Sequence, residues 1–207
     1  MIIANNISKS YNSIKLINDF NIEINKGEFV AITGESGKGK TTILNILGLL
    51  EKFDSGELIF EGRSKLRSKD IMLIQRRKIA YLFQNYALIE NETIEYNLKI
   101  ALKYRKNCNK SYLIKESLKF VNLSTDILKK KVYQMSGGEQ QRVAIARLWL
   151  KEADYVFADE PTGNLDKKNR NIIFELLLKL NSNGKTVIMV THDEELANKA
   201  SRRINLK

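Results

Sequence analysis

The sequence is poor in residues that cross-link or stiffen a chain: one cysteine, one proline, one histidine and one tryptophan in 207 residues. The lone Cys108 excludes an internal disulfide framework and suits a reducing compartment. Pro161 is the sole proline, and no repeat or low-complexity tract divides the chain. Long apolar runs are missing too. Thr41–Leu50, the longest uncharged apolar stretch of the first half, is about ten residues, whereas a bilayer span takes roughly 20. The opening MIIANNISKS lacks a basic segment ahead of an apolar core, so a secretory signal is not expected. Acidic residues are outnumbered, 24 against 35 Lys and Arg, giving a net charge of +11. Lys103 to Lys131 holds nine basic residues against Glu116 and Asp126, a net +7. Nucleic acid, an anionic membrane face and plain solubility each account for such a stretch, and it separates none of them.

With 43% hydrophobic and 29% charged residues, the chain reads as a soluble globular protein with one full core. Phe29–Thr33, Ile79–Phe83, Tyr155–Ala158 and Thr186–Thr191 are apolar throughout rather than alternating, as parallel strands covered on both faces are. Helical periodicity falls at Thr42–Leu50, in the region Glu95–Phe120, at Gln140–Leu150 and at Arg170–Leu180. This alternation predicts an α/β protein with a parallel sheet. Ile2–Ser8, Phe20–Ile24 and Glu57–Glu61 look like strands of a small antiparallel unit, and the basic, helical stretch between Asn85 and Leu150 like an inserted subdomain.

Gly34-Glu35-Ser36-Gly37-Lys38-Gly39-Lys40-Thr41 fits G-x-x-x-x-G-K-[ST] between a strand and a helix, with Thr42 next in the helix. Such a loop turns successive N–H groups onto phosphate oxygens, and the helix adds its positive end. Register makes Lys40 the lysine that reaches phosphate, and Thr41 the hydroxyl ligand for Mg²⁺. Lys38 sits in the loop, either solvent-directed or an extra cation near the phosphates. The strand Tyr155–Ala158 ends in Asp159, placed to hold Mg²⁺, and Glu160, placed to polarise an attacking water. His192 ends another strand, at the edge where open α/β sheets bind ligands, and Gln84 follows a third with reach to metal or water. In MSGGEQQRVAIARLWL (Met135–Leu150), Ser136 and Glu139 form a capping box, and Gly137 and Gly138 leave the helix start open as a second anion site. Two such sites about a hundred residues apart serve one nucleotide only if the second comes from another copy.

These motifs together, in this order, resemble the ATP-binding subunits of ABC transporters over essentially the whole chain. MSGGEQQ resembles the family signature LSGGQ, with Met135 for leucine and Glu139 for glutamine. The resemblance implies a P-loop NTPase with a RecA-like parallel sheet core, an N-terminal antiparallel β subdomain and a helical subdomain inserted at about residues 86–150, all one domain. It makes Tyr11 the adenine-stacking aromatic, residues 34–42 the ATP loop, Gln84, Glu160 and His192 the catalytic set, and Thr41, Gln84 and Asp159 the Mg²⁺ ligands. Ser136, Gly137, Gly138, Glu139 and Asp166, the last within Asn164-Leu165-Asp166, then touch the partner copy's ATP. An ATP-driven, head-to-tail homodimer follows, seated on an integral-membrane permease at the cytoplasmic face of the membrane.

Phe83–Leu98 and DEPTGNLD look most like the lipoprotein-release, macrolide-efflux and cell-division branch, and LIENETIEYNL like a lactococcin-972-type bacteriocin-export group. Export of a peptide, lipoprotein or antimicrobial compound is the function expected. The alternatives are a non-transport ATPase, either mechanical signalling of the cell-division kind or action on nucleic acid or ribosomes. One cassette per chain argues against the latter, so nucleic acid is not the expected partner. Two departures stand out: no proline precedes the signature at Lys131-Val132-Tyr133, and the chain stops at Lys207, so curtailed final β-elements and no appended domain are expected.

Overall fold

The N-terminal strands β1 (Ile2–Tyr11) and β2 (Ile14–Ile24) form a hairpin. Its two-residue turn, Asn12-Ser13, takes φ of 47° and 66°, the left-handed pair that matches strand twist. This computed structural model describes residues 1–163 and 165–206. β4 (Ser55–Phe60) adds to the other side of β1, so the antiparallel unit has the order β2-β1-β4. β3 (Phe29–Gly34), β5 (Ile79–Leu82), β6 (Tyr155–Asp159), β7 (Thr186–Val190) and β8 (Arg202–Leu206) form a parallel sheet of order β5-β6-β7-β3-β8.

Every residue of β6 and β7 is buried, which is why neither alternates in sequence. Their side chains divide between two apolar clusters. Phe29, Ala31, Val156, Ala158, Val187 and Met189 face the helices α3 (Ile94–Ala101), α4 (Lys110–Phe120), α5 (Gly137–Leu150) and α6 (Lys167–Ser182). Val30, Ile32, Tyr155, Phe157, Ile188 and Val190 face α1 (Lys40–Leu47) and the antiparallel sheet. The helices after β5 thus share one continuous core with the sheet.

Several sequence expectations need correction. The first helix ends at Leu47 because Gly48 caps it; a side chain at Gly48 would meet the Tyr81 ring at 2.8 Å. The stretch Glu95–Phe120 is two helices, broken over residues 102–109, where Asn109 caps α4. The last described strand, β8, pairs with β3 from Val30↔Arg202 to Gly34↔Leu206. Two helices went unforeseen, α2 (Ser68–Arg77), which buries no residue, and the four-residue α7 (Glu194–Ala197).

Candidate nucleotide site

The loop after β3 reaches α1 through Gly39, whose φ of 81° is left-handed. A Cβ there would sit 3.1 Å from Leu16 and 3.2 Å from Ile17, so backbone freedom and space both require glycine. No side chain caps α1 and no acidic residue occupies its first turn. Its N–H groups and the positive end of its dipole therefore face the loop uncompensated, which is what an anion site needs. Lys40, only 7% exposed, folds its ammonium back onto the carbonyl oxygens of Gly34 and Glu35, each at 2.9 Å.

A cleft of about 450 Å³ opens at this point, lined by Ser36, Gly37, Gly39, Lys40, Thr41, Thr42, Gln84, Glu160, Gly163 and His192, with Leu16 as its apolar wall. The structure therefore gathers the ends of β3, β5, β6 and β7 at one edge of the sheet, where open α/β sheets place ligands. Three of the loop's expected residues stand back. Gly34 and Glu35 line a neighbouring pocket that shares His192, and Lys38 turns outward to Glu35, Nζ to Oε2 3.8 Å. Tyr11 is not among the lining residues either. Its hydroxyl is hydrogen bonded to Glu51, and the Lys9 ammonium lies 5.2 Å from its ring centre.

Thr41 donates to Asp159 Oδ1 at 3.0 Å, the only side-chain hydrogen bond to Asp159 among the described residues. Burial raises the Asp159 pKa above the usual carboxylate value, with the Thr41 bond and the Lys40 charge opposing. A buried carboxylate beside a hydroxyl, with Gln84 lining the same cleft, is a hard-oxygen donor set that fits Mg²⁺. Without the cation the charged carboxylate is a burden on the fold. Asp159→Asn is expected to raise the melting temperature of the nucleotide-free protein in differential scanning calorimetry. The sign follows from linkage: a carboxyl raised in the native state binds protons there more readily, so wild type gains stability as pH falls through that raised pKa to the unfolded value, and loses it as pH rises back. The variant should lack this gain, and a lower melting temperature in Asp159→Asn would contradict the assignment.

Glu160 leaves β6 with φ of 43° while its N–H still pairs with Val190 O at 3.0 Å. Left-handed backbone at a non-glycine residue costs about 1–3 kcal/mol and persists only where its surroundings fix it. Its Oε2 lies 2.9 Å from His192 Nδ1 and accepts the His192 N–H at 3.3 Å. The His192 ring is 65% exposed and Glu160 only 15%, so carboxylate and imidazole form a pair open to the cleft on one side. Arg170 of α6 holds the loop beyond His192, donating to Asp193 at 2.6 Å and Glu195 at 2.7 Å. Arg203 of β8 adds a bond to Glu194 at 2.7 Å. No local signal marks these arginines or Leu16, because their partners lie far away in sequence.

The start of α5, expected as a second anion site, stands apart from the cleft and carries the Glu139 carboxylate in its first turn. Ser136 caps α5 with the expected box: its N–H donates to Glu139 Oε2 at 2.9 Å, and these bonds lower the Glu139 pKa. None of Ser136, Gly137, Gly138 or Glu139 lines the cleft. Gly138 packs against α6, where a Cβ would lie 2.8 Å from Asn169 Oδ1. Asp166 caps α6, accepting from Lys168 N at 2.9 Å and Asn169 N at 3.1 Å, and also holds the Asn169 side chain. Asn164 lies outside the described residues. At the far end of α5, Arg147 donates to the carbonyl oxygens of Tyr86 and Ala87 at 2.7 and 2.6 Å. These two residues, just beyond Gln84, are left-handed, with φ of 61° and 46°.

A family model described as ABC transporter matches residues 17–163. The chain is 39% identical over 212 residues to the lipoprotein-releasing system ATP-binding protein LolD of Aquifex aeolicus, covering 99% of this chain and 92% of LolD. It is 38% identical over 211 residues to the macrolide export ATP-binding/permease protein MacB of Campylobacter jejuni. That match takes in all of this chain and 33% of MacB, so the chain spans one third of that relative's length. Among solved structures, the dimeric post-hydrolysis state of the ATP-binding cassette MJ0796 bound to ADP and Pi matches with a TM-score of 0.90. The identity there is 38%, over 100% of this chain and 94% of the other. Motifs, fold and relatives agree: the chain belongs to the ABC transporter family, as an ATP-binding domain.

Proposed function

We propose that this chain is the ATP-binding and ATP-hydrolysing subunit of an exporter, working as a head-to-tail homodimer beneath an integral-membrane permease. One observation carries the dimer: the cleft with Lys40, Glu160 and His192 and the Ser136–Glu139 helix start lie apart within one chain. Antiparallel pairing brings the Ser136–Glu139 cap and Asp166 of one copy over the phosphate loop of the other. Lys40 and the N–H groups of residues 36–42 hold the ATP phosphates. Thr41, Asp159 and Gln84 would hold Mg²⁺, which would supply charge neutralisation on the phosphates when bound. Glu160 orients the attacking water and accepts its proton, and His192 keeps the Glu160 carboxylate in place while facing the γ-phosphate.

For the permease, the reading is supported by a second groove of about 420 Å³ beside Gln84, between α2, α3 and α5. Apolar Met72, Phe83 and Tyr104 line it with Arg76, Arg147 and Lys151, a surface for a short helix bearing carboxylate. No helix among the described residues is long and apolar enough to cross a membrane. Attachment to the inner face of the cell membrane, through the permease, is supported by the relatives being ATP-binding proteins of release and export systems. The relatives' names place lipoproteins and macrolides among exported cargo, and the cargo proposed here is a peptide, lipoprotein or antimicrobial compound.

The purified chain with Mg²⁺ and ATP should release phosphate at a rate that rises with the square of protein concentration while dimers are scarce. No release at any concentration, alone or with a permease partner, refutes hydrolysis. Release strictly linear in concentration refutes the shared site.

A further inference from the structure

We infer that the first turn of α6 is a junction that sets the position of His192 from the surface a second copy covers, with Arg170 as its positioning residue. The inference rests on the proposed reading of Ser136–Glu139 and Asp166 as that surface. Three consecutive functions fall within five residues. Asp166 caps the helix. Asn169 fills the space beside Gly138 and receives Arg142 Nη1 at 3.4 Å, which ties the turn to the start of α5. Arg170, one position on, reaches across to the residues that follow His192.

The grip of Arg170 is directional. One arm of its fork holds Asp193 and the other Glu195, so the plane of the guanidinium fixes both position and tilt of the loop. Asp193 is itself the cap of α7, its Oδ1 accepting from Leu196 N at 3.1 Å. Its neighbour His192 has an exposed ring whose only side-chain partner among the described residues is Glu160. The remaining guanidinium nitrogen, Nε, is buried without a partner, so every polar contact of this side chain goes to the histidine loop. A shift of the α6 start, produced by another copy pressing on Asp166 or on the Gly138 edge of α5, is passed to His192 through this fork. Ion pairs of this partly exposed kind add little to stability, but misplacing a catalytic group by about 1 Å is costly in rate. Position and stability therefore separate experimentally.

The test uses the full chain and exploits His192 being the only histidine, which makes its imidazole carbon–proton NMR signal unambiguous. Arg170→Met should move that signal in the nucleotide-free protein, whereas Arg63→Met, removing a cation paired with Asp70 elsewhere, should not. In Arg170→Met, Mg-ATP affinity by calorimetry should stay within about twofold while kcat falls about tenfold or more, and Arg170→Lys should recover part of that loss. An unmoved His192 signal with wild-type kcat overturns the inference. So does a kcat loss matched by equal weakening of Mg-ATP binding and equal in Arg170→Lys. Wild type failing to hydrolyse ATP would instead count against the proposed function, and the NMR comparison would still decide the junction.

Discussion

Glu160→Gln is expected to lower kcat for ATP hydrolysis by about 10²–10⁴-fold while Mg-ATP binding survives, leaving a dimer that gel filtration resolves only when Mg-ATP is present. The substitution is nearly isosteric. The amide oxygen of glutamine can still accept from His192 Nδ1, and the backbone keeps the same left-handed turn out of β6. What disappears is the group that takes a proton from water. Among the described residues Glu160 is the only carboxylate lining the cleft, so no neighbour there substitutes for it. Removing its charge also removes repulsion against the γ-phosphate, which favours the ATP-bound pair over its dissociation. A variant that hydrolyses ATP at the wild-type rate would remove Glu160 from the mechanism. One that hydrolyses slowly but never dimerises would separate the base from the closure.

Lys40→Ala is expected to weaken Mg-ATP binding in calorimetry by about 10–100-fold or more, a larger loss than any other single change in the loop. Hydrogen bonds to charged groups are worth about 1.5–3 kcal/mol each, and every 1.4 kcal/mol is tenfold in affinity. Two effects combine here. The cation nearest the phosphates is lost, and so are the two bonds that pin the loop carbonyls of Gly34 and Glu35. Lys40→Arg should not rescue binding, because the narrow space under the loop holds a compact ammonium and the guanidinium is broad and planar. Lys38→Ala should change affinity little, since that ammonium faces Glu35 on the outside. Equal losses for Lys38→Ala and Lys40→Ala would mean that general charge, not the register of the loop, binds the nucleotide.

The parts of this protein legible in its sequence are those whose chemistry is written within a few consecutive residues. Gly34–Thr42, Asp159-Glu160 and the Ser136/Glu139 box each combine local spacing with an apolar strand or an amphipathic helix, and the structure places them as short-range rules demand. The hidden parts depend on distant partners. β8 is a mixed polar strand, Arg-Arg-Ile-Asn-Leu, that becomes a strand only because β3 offers a parallel edge. α2 buries no residue fully and only Ile74 leans on the core, so its short run Ile71–Ile74 does not read as a buried helix; Asp70, accepting from Arg67 N and paired with Arg63, marks its start. Leu16 belongs to the cleft through the packing of β2 on the phosphate loop, which no pattern in Ile14–Ile24 declares. Tyr11, which the family resemblance makes the adenine-stacking aromatic, has its hydroxyl engaged by Glu51 and stands exposed outside the cleft lining.

The division of the core by the parallel sheet has a consequence for how work leaves the molecule. The helix that follows the phosphate loop lies on one side of a close-packed plate, and α3, α4, α5 and α6 lie on the other. Packed interiors are stiff and bend little, so the plate acts as a bulkhead rather than a spring. The groups that line the nucleotide cleft sit at its rim, on the loops that leave the strand ends. Gln84 with the Arg147-held turn and His192 with the Arg170-held turn are two separate exits on that rim. One leads towards the groove between α2, α3 and α5 and the other towards the first turn of α6. A single chemical event can thereby be timed differently at two outputs.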